Sequence, residues 1–107
     1  NNALTTSNFF NQKISRIVIA FDNTMFLSDN PNITLSSYTS GTCTLALAGF
    51  KNKPYCWGTP YTVSSTTTGL ISIYEDIGVS NYTQLVLRTV LNNGATNVNF
   101  ICFVMGY

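Results

Sequence analysis

No histidine occurs among the 107 residues, and only five residues are basic and four acidic. Without histidine, the usual general base near neutral pH is missing. Charged residues make up 8% of the chain, against about 25% in an ordinary soluble domain. The basic residues are scattered, so neither a nucleic-acid footprint nor a polybasic membrane patch is present. No apolar run approaches the roughly 20 residues of a membrane helix, which argues against membrane insertion. The cysteines, Cys43, Cys56 and Cys102, form no CxxC pair and fit no zinc spacing, so no metal or cofactor is expected. GxSxG, P-loop and GxGxxG patterns are absent. So is a signal peptide, which implies that it was removed or that this is a piece of a longer chain.

What is present is apolar and uncharged-polar. Apolar residues make up 45%; serine and threonine together number 25 and asparagine 13. This is too apolar and too aromatic for disorder. The length suits one domain over 1–107, burying roughly 60–70% of its unfolded surface. The opening "NNALTTSN" reads as a cut point or a linker, placing an N-terminal connection over 1–12. A surface rich in Ser, Thr and Asn points to an extracellular, cell-surface or periplasmic setting. There the three cysteines could form one disulfide and leave one free thiol, or all serve as small buried hydrophobes. Both readings stay open. Two sequons, Asn32-Ile33-Thr34 and Asn81-Tyr82-Thr83, occur in a chain where chance matches are expected.

Helical periodicity is nearly absent; Phe9 to Ile14 could make one turn. The rest reads as strands: Ile14–Phe21, Ile33–Ser37, Thr42–Ala48, Tyr55–Val63, Gly69–Tyr74, Thr83–Leu91 and Asn97 to about Gly106. In "TCTLALA", Cys43, Leu45 and Leu47 face one way, Thr44, Ala46 and Ala48 the other. Pro60 favours an edge position or a bulge. Asn93-Gly94 is a hairpin signal, and "SSTTTG" is a polar loop. Seven or eight short strands joined by Gly, Asn and Ser turns predict an all-β fold, an antiparallel β-sandwich or jelly roll.

The last strand, "NFICFVMGY", stops alternating. Phe100, Cys102 and Val104 form one face; Ile101, Phe103 and Met105 form the other. If the first set enters the core, the second is an apolar stripe of the kind monomers avoid. Covering each side chain is worth roughly 1.5–3 kcal/mol. A partner subunit is the simplest cover, which makes Ile101, Phe103 and Met105 the candidate interface. A loop or the N-terminal segment is the alternative.

No catalytic residues are assigned. Glu75 and Asp76 point to opposite faces if they lie in a strand, and otherwise form a solvated turn. Asp22 and Asp29 flank a loop without partners in sequence. The aromatics are the other chemical resource. Trp57, the single tryptophan, sits mid-strand and reads first as a core anchor. Tyr38, Tyr74 and Tyr82 fall at strand ends or loops, where tyrosine supplies contact area at low entropy cost. Rings and amides on an uncharged surface suit carbohydrate, so Trp57, Tyr38, Tyr74 and Tyr82 are the candidate ligand contacts.

The stretch "GTCTLALAGFKNKPYC" and the closing "NFICFVMGY" resemble the C-terminal tip domains of long trimeric fibres. Such tips end phage tail fibres and the mosaic adhesive trimer proteins of predatory bacteria of the Bdellovibrio type. The matching residues are Cys43, Pro54-Tyr55-Cys56, and Ile101-Cys102 with Gly106, so the resemblance covers residues 41–107. It implies a homotrimer about a fibre axis whose tip, without catalysis, touches a cell-surface glycan or other envelope component. Family pockets vary, so no binding residue carries over. The rival readings are a structural trimerisation cap without its own ligand, a monomeric secreted lectin-like or Ig-like module, and a glycosidase tip.

Overall fold

A computed structural model describes residues 13–61 and 69–106. The expected turn over Phe9 to Ile14, the end of the Tyr55–Val63 strand and most of "SSTTTG" lie outside them.

The described chain forms nine strands and no helix: β1 (Lys13–Ile19), β2 (Phe26–Ser28), β3 (Ile33–Thr39), β4 (Thr42–Leu47), β5 (Tyr55–Pro60), β6 (Ile71–Glu75), β7 (Gln84–Leu91), β8 (Gly94–Ala95) and β9 (Phe100–Gly106). They build two antiparallel sheets. One runs β2-β1-β9-β5 and the other β3-β4-β7-β6, with β8 pairing β7. The expected all-β, two-sheet fold is observed, with more strands than expected because the short β2 and β8 carry little pattern of their own.

Alternation decides which side chains enter the core. In β4 every second residue, Cys43, Leu45 and Leu47, is buried. The first sheet contributes Ile17, Ile19, Cys56, Phe100, Cys102 and Val104 to the same cluster. From the second sheet come Ile33, Tyr38, Leu85 and Leu87 beside the β4 residues. Fully burying an aliphatic side chain of this size contributes roughly 1.5–3 kcal/mol.

Turn chemistry sets the registers. Ser40 and Gly41, both at positive φ (50° and 74°), join Thr39 to its partner Thr42 in the two-residue β3–β4 hairpin. This is the primed-turn geometry that matches strand twist. A Cβ on Gly41 would lie 2.6 Å from the Thr89 carbonyl oxygen, so only glycine fits. The β7–β8 turn is Asn92-Asn93, at φ 54° and 67°, because Leu91 pairs with Gly94. The hairpin signal at Asn93-Gly94 was therefore read one residue late; asparagine tolerates the left-handed conformation that both positions need. β1 ends at Ile19 rather than Phe21. Ala20 turns the chain back, its N–H donating to Met25 O at 2.9 Å and its carbonyl accepting from Asn23 N.

A β-bulge between Leu35 and Ser37 shifts the β3–β4 register. One extra residue there reverses the inside-outside phase. Ile33 and Tyr38 consequently both point inward, although strict alternation would put them on opposite faces. Pro60 ends β5, an edge strand, where a missing N–H is tolerated.

Candidate functional site

The two sheets differ on their outer faces. On the second sheet the outward residues include Thr42, Thr44 and Arg88. The Arg88 guanidinium donates to Thr42 Oγ1 at 2.7 Å and to Asp76 Oδ2 at 2.7 and 3.0 Å. That hydrogen bond holds the Asp76 carboxyl below its ordinary range. This face is polar and internally paired.

The outer face of the first sheet is apolar. Registers place Leu27 beside Val18 and Val18 beside Ile101 in one row. Arg16, Phe103 and Trp57 follow in the next, then Ile14, Met105 and Tyr55. The Trp57 and Phe103 rings stack, centroids 5.7 Å apart and planes 25° from parallel. Ile14, Leu27 and Trp57 remain 52%, 59% and 44% exposed. Between β1 and β5, Ile14, Arg16, Trp57 and Phe103 line a hollow of about 420 Å³. Of the three residues expected on this face, Ile101 and Phe103 are half-buried and Met105 is buried. The terminal strand does present its second face outward, and the middle of that face is open.

The four aromatic candidates are not brought together. Trp57 lies on the apolar outer face instead of in the core. Tyr74 in β6 and Tyr82 in the β6–β7 loop are exposed. Tyr38 is 1% exposed, which leaves it no surface for a ligand. Its hydroxyl donates to Val98 O at 2.7 Å, accepts from Val98 N at 2.6 Å and lies 3.1 Å from Thr89 Oγ1. Its ring meets Phe100 edge-on at 5.6 Å. Burial pushes this phenol above its ordinary pKa. The bulge explains the difference, since it turns an expected surface tyrosine into a bolt between the sheets.

The acidic residues are individually occupied. Asp22 accepts from the Thr24 hydroxyl at 2.6 Å, which lowers its pKa. Asp29 accepts from Arg16 through both N and Nε. Glu75 is not in a solvated turn: its side chain is 8% exposed, and Oε2 lies 2.6 Å from Lys53 Nζ, itself 6% exposed. Oε2 accepts no regular hydrogen bond, so the ammonium charge is its compensation. The same Nζ donates to Pro54 O at 2.6 Å and sits 5.1 Å from the Tyr55 ring centroid. Sequence offered no signal for this pair, whose members lie 22 residues apart in the chain.

All three cysteines are free and buried, which matches the reading of them as small hydrophobes. Burial raises the Cys43 thiol to about 12. Cys102 is pushed well above its ordinary value, first by its hydrogen bond to Cys56 and then by burial. Thiols held protonated in this way are poor nucleophiles. Among the described residues, no group of three His, Cys, Asp or Glu side chains is placed to hold a metal ion, and no helix is long and apolar enough to cross a membrane.

A second hollow, of about 700 Å³, opens at the end of the sandwich where β1 begins and β9 ends. Its walls are the β2–β3 and β4–β5 loops. Asn32 O accepts from Ala48 N at 3.0 Å, tying one loop to the other. Asn30 braces the first wall: Oδ1 accepts from Asn32 N at 3.0 Å and Nδ2 donates to Ser15 Oγ at 3.1 Å. Composition gave no signal for this hollow, because two loops far apart in sequence form it. Compared with protein-family models, curated proteins and solved structures, the chain matches none.

Proposed function

We propose that this domain is a non-enzymatic, self-associating β-sandwich of the kind that tips a trimeric fibre, and that outside the cell it recognises a glycan or related envelope component. The observation that carries this reading is the apolar outer face of the β2-β1-β9-β5 sheet. Ile14, Leu27 and Trp57 are each about half exposed on it. Covering them would gain roughly 1 kcal/mol apiece, half the value of full burial. A second subunit would also fill the hollow over Phe103. The threefold symmetry comes from the resemblance of the "PYC" and "ICFVMG" segments. The absence of histidine and the separate pairing of Asp29, Glu75 and Asp76 support a binding role over catalysis. Of the aromatic candidates, Tyr74 and Tyr82 are exposed away from that face and stay available to a sugar.

The test is solution mass by light scattering on the wild-type chain and on Phe103→Asp. A trimeric wild type and a monomeric, folded variant are expected. A monomeric wild-type chain at micromolar concentration would refute the association.

A further inference from the structure

Charge pairing singles out the second hollow. The chain has five basic residues, and three are matched: Arg16 by Asp29, Lys53 by Glu75 and Arg88 by Asp76. The remaining two, Lys13 and Lys51, are exposed, and their side chains have no hydrogen bond or ion pair among the described residues. Both line the 700 Å³ hollow. Among the described residues the one carboxylate on its lining, Asp29, is already engaged by Arg16. Those residues leave the hollow two positive charges without a partner, on a molecule whose net charge is only +1.

The rest of the lining is polar and aromatic. Residue Asn32 is exposed and its side-chain amide has no hydrogen bond among the described residues, while Asn30 fixes the backbone that presents it. Phe50, also on the lining, is half-buried and packed against the core cluster, with its ring edge beside Gly106. A ligand that satisfies all three elements has a carboxylate for the lysines, hydroxyls for the amide and an apolar C–H face for the ring. We propose that this hollow binds an acidic saccharide, a sugar carrying a carboxylate. That the anion is a sugar rests on the glycan reading above; that the ligand is anionic rests on the charge pairing. A nucleic-acid strand does not fit, because two lysines without a surrounding basic stripe cannot follow a polyanion.

The experiment is a binding measurement of the wild-type chain on printed oligosaccharides ending in sialic, glucuronic or galacturonic acid, beside the same sugars with the carboxyl reduced. Lys13→Gln, Lys51→Gln, Tyr74→Ser and Tyr82→Ser are measured in parallel, with thermal melting to verify folding. Binding to one acidic series is expected, absent from its reduced counterpart and weakening as salt is raised. Each lysine variant should lose about three- to tenfold in affinity, between an exposed ion pair and a charge-assisted hydrogen bond, with an unchanged melt. Binding of neutral sugars alone, or loss in the tyrosine variants with both lysine variants unaffected, would overturn this site while leaving a glycan-binding domain. Failure to bind any saccharide would overturn both.

Discussion

Replacing Glu75 by glutamine tests how dry the seam between the two sheets is. Lys53 precedes β5 and Glu75 ends β6, each an edge strand of its own sheet. At 2.6 Å, and with an effective dielectric near 20, their attraction is about 6 kcal/mol before desolvation. Removing each ion from water costs several kcal/mol, so the intact pair is close to neutral in net terms. Glutamine leaves the desolvation of Lys53 in place and deletes its compensation, which destabilises by about 3–5 kcal/mol. A domain of this length is stable by roughly 5–15 kcal/mol, so the loss is a large share of the total. It should lower the melting temperature by about 12–40 °C, given roughly 4–8 °C per kcal/mol for small domains. Urea denaturation followed by circular dichroism measures it, provided the slope m is unchanged. The double variant Lys53→Met, Glu75→Leu should recover most of the loss, because apolar groups of similar volume need no compensation. A loss below about 1 kcal/mol in Glu75→Gln would mean that Lys53 reaches water, and the closed seam would be refuted.

Two other perturbations follow from buried groups. Tyr38→Phe keeps the ring against Phe100 but strands Val98 N–H and O, which the hydroxyl satisfies at 2.6 and 2.7 Å. An unmatched buried polar group costs about 1–3 kcal/mol, measurable as a lower urea midpoint; no change would show that water replaces the hydroxyl. The thiols should resist a disulfide-exchange reagent at pH 8 in the native state and all three react in denaturant. Because Cys43 is raised to about 12 when folded, its contribution is complete below the ordinary thiol range. That contribution declines as pH rises from there toward 12, as the unfolded chain ionises first. Stability that stays level between pH 9 and 11 would contradict this.

Strand positions were legible because the side-chain period survives in this chain. "TCTLALA" alternates over its whole length, and the core half of "NFICFVMGY" could be named from parity alone. Parity also explains the failures. The expected strand stops at Ser37 and leaves Tyr38 at its end, whereas β3 runs to Thr39 and the inserted residue at Ser36 turns Tyr38 inward. No residue type marks a bulge of this kind in advance. Trp57 reads as a core anchor because it sits mid-strand, yet its register opposite Phe103 fixes it on the outer face. The Lys53–Glu75 contact and the Asn32–Ala48 bridge join segments distant in sequence, and local pattern carries no record of such meetings.

The pairing of Lys13 with Gly106 has a bearing on how the molecule is made. β1 leaves the ribosome nearly ninety residues ahead of its neighbour β9, which is roughly 4–17 seconds at ordinary rates of synthesis. During that interval Ile17 and Ile19 have no central strand to lie against, and the first sheet cannot close. Nascent chains therefore stay aggregation-prone until β9 has emerged, and a translational pause before that point would lengthen the exposure.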